Sequence, residues 1–257
     1  MLPGLTACLA DGIIQKKGPF RECTMETKTK SFPGLTGNQL KILALITMTC
    51  DHVGLQLLPQ WDWLRIIGRL ALPVYAYMIA EGCRYTHRRG AYLGKLLGMA
   101  ALCQIGYYVA QRSLYQCILV TFSLSICLMY ALEDAQKRRG WISILEAAGA
   151  LAAAAFVCAG LPWLLPRTDF AVDYGFAGVL LPVLVHFGRS KWEKLGLLSL
   201  GLCLLALECG GIQWFALLSV PLLALYNGRR GKWKIGGLFY IYYPVHLVII
   251  YGLSLLI

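Results

Sequence analysis

Acidic residues are scarce in this sequence. Thirteen Asp and Glu stand among 257 residues, and charged residues of both signs make up only 14%. A soluble domain is about 45–50% apolar and about a quarter charged, whereas this chain is 58% hydrophobic. Most of its apolar runs lack the polar face that a soluble helical core turns to water. The ten cysteines contain no C-x-x-C pair, and eight of them, from Cys50 onward, lie in or beside apolar runs. They read as small apolar helix residues rather than as a disulfide framework. No H-E-x-x-H motif occurs. The opening stretch MLPGLTACLADGII has no basic lead and is interrupted by Pro3 and Asp11, so it does not read as a signal peptide.

What is present is a series of long apolar runs at near-regular spacing. A helix needs about 20 residues to cross a ~30 Å hydrocarbon core. The runs give nine candidate segments: 38–58, 63–83, 91–111, 113–132, 141–165, 172–188, 194–208, 211–227 and 235–256. The seventh and eighth are short enough for a re-entrant hairpin. The reading is all-α: a polytopic membrane helix bundle of about nine transmembrane helices, behind a polar, disordered tail over residues 1–36 in which Met25 is a second candidate start.

Basic residues alternate from loop to loop. Five precede the first segment. Arg84, Arg88 and Arg89 follow the second, Lys137, Arg138 and Arg139 the fourth, Arg189, Lys191 and Lys194 the sixth, and Arg229, Arg230, Lys232 and Lys234 the eighth. The intervening loops hold only Arg112 and Arg167. The positive-inside rule therefore places the N-terminus in the cytoplasm and the C-terminus outside. A net charge of +11 distributed this way is no nucleic-acid footprint, which needs a basic stripe on a soluble face.

Ionisable groups at membrane depth are costly, about 2.5–3.5 kcal/mol each on insertion scales, and so mark function by default. Asp51 and His52 lie at or beyond the middle of the first segment. Eleven residues at about 100° each bring Lys41 onto the face of His52, about 16 Å away along the axis. Arg65 and Arg69 form an i, i+4 pair in the outer half of the second segment, which Pro73 then kinks. By depth, Asp51, His52, Arg65, Arg69, Asp173 and His246 share the middle-to-outer layer. Lys41, Arg84, Arg88 and Arg89 ring the cytoplasmic mouth. Blander roles compete: Arg65 snorkelling to the interface, Asp173 as a solvated helix cap, His186 as an interfacial residue and His87 as part of a basic loop.

In order, the chain carries LKILALITMTCDHVG, RIIGRLALPVYAYMIAEGCRYTHRRGAYLGKLL, VDYGFAGVLLPVL, LLALYNGRRG and FYIYYPVHL. Together, over residues 36–254, these resemble the TraX family of membrane proteins, named after the F-pilin N-acetylation protein of conjugative plasmids. Residues 37–257 would then form one acyltransferase-like domain. The first segment is also similar to the wider transmembrane acyltransferase group, where a basic residue, ten intervening residues and a histidine recur; Lys41 and His52 match. The Arg84/Arg88/Arg89 cluster is more loosely similar to that group's arginine-rich signature.

The resemblance implies acyl transfer from acetyl-CoA in the bacterial cytoplasmic membrane. His52 is the candidate general base. Asp51, about 100° around the helix, is better placed to orient an arginine than to bond His52. Asp173 or His246 would hold the His52 ring. Arg65 and Arg69 offer fixed donor forks for an oxyanion or an acceptor carboxylate, and Lys41 with Arg84, Arg88 and Arg89 suits the donor's phosphates. The acceptor, pilin or a cell-envelope component or a metabolite, is not encoded in any motif, and neither metal nor nucleic acid is expected. Two other classes compete: a small-molecule transporter or channel with a polar midplane site, and a metal site on Asp51, His52 and His246.

Overall fold

The computed structural model describes residues 34–233 and 236–256; the expected tail lies, up to residue 33, outside them. Among the described residues the chain forms nine helical segments and no sheet. The first four are α1 (Gly37–Gln56), α2 (Asp62–Tyr85), α3 (Arg89–Gln111) and α4 (Ile118–Arg138). Then follow α5 (Trp141–Leu164), α6 (Gly175–Phe187), α7 (Lys191–Cys209), α8 (Gly211–Ala224) and α9 (Gly236–Ser254). Five of them, α2 to α5 and α9, are long and apolar enough to cross a membrane.

Local chemistry sets the ends and breaks. T-x-x-Q at Thr36–Gln39 and S-x-x-E at Ser190–Glu193 make capping boxes that start α1 and α7. Pro73 has no N–H for the carbonyl of Arg69, and its ring crowds that group. The helix accordingly opens at Arg69–Leu70 and restarts at Ala71. Pro162 stands in the same relation to Cys158, and α5 widens into a π turn at Phe156–Gly160. The fourth segment is displaced from its expected 113–132. Gln116 is held extended by backbone bonds to Ala171 and Asp173, so the helix begins only at Ile118. It then runs on through Glu133, Asp134 and Lys137, whose intrinsic helix penalties are small.

Packing places α2 and α6 at the centre. Tyr77, Val74, Leu181 and Val185 are nearly inaccessible there, alongside Ile126 and Met129 of α4. The Ser125 hydroxyl donates to the Val179 carbonyl at 2.7 Å, fully buried, which ties α4 to α6. Such interhelical polar contacts hold bundles together where lipid removes the hydrophobic driving force. In contrast, α3, α5 and α9 expose their apolar side chains, among them Val109 at 71%, Ile142 at 78% and Val248 at 71%. A water-soluble molecule rarely tolerates patches of that extent; a bilayer solvates them. All seven tryptophans sit at segment ends. Trp141, Trp192 and Trp233 lie at the end carrying the basic loops, and Trp61, Trp63, Trp163 and Trp214 at the other. This is the distribution of membrane-interface belts.

Cross-links confirm which loops share an end. At the basic end, Gly37 and Asn38 donate backbone N–H groups to the carbonyls of Arg229 and Arg230, so the α8–α9 loop satisfies the open amides of α1. Gly231, at φ +93°, makes the turn that brings Trp233 back to accept from Asn38. Lys191 donates to the carbonyls of Ala224 and Tyr226. At the opposite end, Ser113 and the Leu114 amide donate to Asp169 at 2.5 and 2.8 Å, holding its carboxyl below the usual carboxylate range. The seventh and eighth segments run from the basic end to Gln213, which meets Arg69, and back, so they reach the layer of Asp51.

Candidate functional site

Asp51 anchors the site. Gly68 lets α2 approach α1 so closely that a Cβ at that position would overlap the Asp51 side chain. Asp51 therefore receives Arg65 at 3.0 Å on one carboxylate oxygen and Arg69 on the other. Arg69 Nη1 donates to the Tyr174 hydroxyl and the Gln213 side-chain oxygen, each at 3.2 Å, and its Nε to the Arg65 carbonyl at 3.4 Å. Both arginines are engaged in neutralising Asp51, and Arg69 is buried. Asp173 stands apart from this cluster's direct bonds: it accepts from the Tyr115 hydroxyl at 2.7 Å.

His52 points instead to α9. Its Nδ1 is 3.0 Å from His246 Nε2, and His246 Nδ1 is 2.9 Å from the Tyr242 carbonyl. A carbonyl can only accept, so His246 Nδ1 carries a proton; in the neutral ring its Nε2 must then accept. With the His52 ring neutral as well, its Nδ1 is the donor and its Nε2 keeps a free lone pair. Tyr242 stacks on His246 with ring centres 5.2 Å apart, and the Tyr243 ring meets it edge-on at 5.5 Å. Thr49, whose hydroxyl donates to Leu45, accepts from Tyr242 at 2.7 Å and locks that stack to α1.

A cavity of about 1050 Å³ opens at the basic end and rises between α1, α2, α3, α4 and α9. That is at the upper end of the ~300–1,000 Å³ typical of small-molecule sites. Lys41, Lys95 and Arg230 stand near its mouth. Met48, Tyr75 and Tyr243 line its deep end, with Met48 one helical turn before His52.

The expected site residues are thus divided. Asp51, Arg65 and Arg69 are brought together, and His52 with His246. Asp173 is held in the neighbouring connection to α6. Of the expected donor-binding set, Lys41 lines the cavity, its ammonium 5.6 Å from the Phe239 ring centre. Arg84 is used to cap α6, donating to the carbonyls of His186 and Gly188. Arg89 pairs with Glu133 and Asp134, and Arg88 is exposed outside the cavity lining. His186 is no interfacial residue: it is 4% exposed and bonded to Glu133 at 2.7 Å. Asp51 is bonded to arginines and the two histidines to each other; among the described residues, no three metal-ligating side chains converge. Sequence reasoning missed Tyr242, Thr49, Lys95, Arg230 and the buried Glu81–Lys194 ion pair. For the last, an acidic residue and a lysine at the same depth were the available signal.

The fold and this buried polar layer define a polytopic helical membrane protein. The chain belongs to the TraX protein family, whose model matches residues 36–254. Among curated proteins it is 28% identical over 246 residues to a probable fimbrial assembly protein FimC, serogroup H1, of Dichelobacter nodosus, covering 82% of this chain and 93% of that one. It is 25% identical over 232 residues to Protein TraX of Escherichia coli, covering 84% and 86%. No solved structure matches it.

Proposed function

We propose that this protein is an acyltransferase of the bacterial cytoplasmic membrane, moving an acetyl group from acetyl-CoA on the cytoplasmic side to an amine or hydroxyl acceptor. The observation that carries the reading is the bonded pair of His52 and His246 at membrane depth, close to a cofactor-sized cavity: Met48, one turn before His52, and Tyr243, edge-on to His246, line its deep end.

Acyl transfer from a thioester requires a base that takes the acceptor's proton as its lone pair attacks the acyl carbon. His52 Nε2 takes that proton. The imidazolium formed is stabilised through Nδ1–H, which His246 accepts, and His246 in turn donates to the Tyr242 carbonyl. As the carbon–sulfur bond breaks, the proton passes to the departing thiolate; acylated acceptor and free thiol are the products. The Asp51–Arg65–Arg69 cluster fixes the rotation of α1 on which His52 stands. It serves this positioning role in place of the oxyanion role that free arginines would play. The name of one relative, a probable fimbrial assembly protein, favours a fimbrial subunit as acceptor.

The test is acetyl-CoA turnover by purified wild type and His52→Ala, read as free thiol together with CoA binding. A positioned base is worth about 10²–10⁴ in rate. The variant should bind CoA as wild type does and lose turnover on that scale. Turnover at the wild-type rate in His52→Ala removes the role.

A further inference from the structure

The mouth of the large cavity carries cations that form no ion pair among the described residues. Lys41 from α1, Lys95 from α3 and Arg230 from the α8–α9 loop all line it. Among the described residues none of the three is in an ion pair. The lining carboxylate, Glu81, is already neutralised by Lys194. Three positive charges from three separate elements therefore face one space with no carboxylate among the described residues paired to them. Beside them on the lining is Tyr85, 70% exposed. The arginines expected to serve the mouth are committed elsewhere: Arg84 to the end of α6 and Arg89 to Glu133 and Asp134.

We propose that Lys41, Lys95 and Arg230 form the subsite for the phosphate groups of a nucleotide-bearing ligand, with Tyr85 as the stacking platform for its base. Clustered cations supply charge-assisted bonds to phosphate, and an exposed tyrosine face stacks heteroaromatic rings without regard to their identity. The arrangement also fixes polarity. The anionic end sits at the basic mouth, and the rest of the ligand extends toward Met48 and Tyr243, beneath the histidine pair. The proposal rests on the acyltransferase reading for the identity of that ligand as an acyl-CoA; Lys41 is expected from the sequence, and Lys95, Arg230 and Tyr85 are added by the cavity.

The experiment measures CoA affinity in detergent for wild type, Lys95→Gln, Arg230→Gln and the double variant. The phosphate-free thioester S-acetyl-N-acetylcysteamine is tested as a second probe. Lys95→Arg serves as rescue and Arg138→Gln, at the same end but outside the cavity lining, as a charge control. Each Gln substitution should weaken CoA by about tenfold or more, the loss of one charge-assisted bond. Lys95→Arg should recover most of it. Arg138→Gln and the phosphate-free probe should show no change. Equal CoA affinity across the cavity variants overturns the subsite while leaving the acyltransferase reading standing. No CoA binding by the wild type overturns both. A lipid headgroup is the other source of phosphate. If the variants lose only a stabilisation seen in phosphatidylglycerol nanodiscs over phosphatidylcholine ones, with CoA unaffected, the nucleotide assignment is overturned.

Discussion

A single carboxylate organises the outer half of the bundle. Asp51 takes two arginines because Gly68 opens the space for its side chain and because Arg65 and Arg69 lie one turn apart on the facing helix. Removing it strands both cations in the protein interior. Breaking a buried pair by deleting one partner costs about 3–5 kcal/mol, so Asp51→Ala should lower unfolding stability in mixed micelles by that order. Asp51→Ala/Arg69→Leu should regain part of the loss. A variant as stable as wild type would show that the cluster clamps nothing. Much of this was readable beforehand: the i, i+4 arginines and the 100° offset between Asp51 and His52 already pointed the carboxylate at an arginine. The choice of His246 rather than Asp173 as the partner of His52 was not, since depth alone put both in reach. His186 misled because its position near the end of α6, followed by Arg189, looks interfacial in one dimension. In the fold it is buried, bonded to Glu133 of α4 and to the Ala80 carbonyl of α2.

At the scale of elements, propensity and prolines fixed the segment list well, and tertiary pairing moved the ends. The clearest case is residues 113–117. They are apolar enough to read as helix, yet are drawn into an extended link with the loop before α6. Asp169 completes that link with Ser113 and Leu114. Its carboxyl is held below the usual range by those two donors, so its contribution is full above the ordinary carboxylate pKa and is lost as pH falls through the depressed folded value. Hydrogen exchange at the Leu114 amide should therefore show constant protection at neutral and mildly acidic pH, after correction for intrinsic rates. Protection should drop once pH falls below the ordinary carboxylate range, and Asp169→Asn should remove this dependence. A pH-independent protection factor in wild type would show that the carboxylate does not hold the loop.

For the whole molecule, the alternation of basic loops was the most legible feature. The fold agrees with it independently, because contacts made by basic loops stay at one end and those of the remaining loops at the other. The corresponding prediction uses a cysteine-depleted background. A membrane-impermeant maleimide should label Arg167→Cys from the outside of intact cells, and Arg189→Cys only when the inner face is exposed in inverted vesicles. Labelling of both from outside would reverse or break the topology. The cavity was invisible in the sequence because its walls come from five helices and a loop distant along the chain. Its floor has a physiological corollary. The space opens at the basic end and reaches Met48, Tyr75 and Tyr243, with Ile118 and Leu119 of α4. Beyond it, Asp51, Arg65, Arg69 and Gln213 are held in one bonded cluster. An ion is driven across an energised membrane by about 2.3 kcal/mol per charge at 100 mV. A cation entering at the basic end would meet this cluster, two arginines against one carboxylate, a positive barrier of the kind that turns cations back.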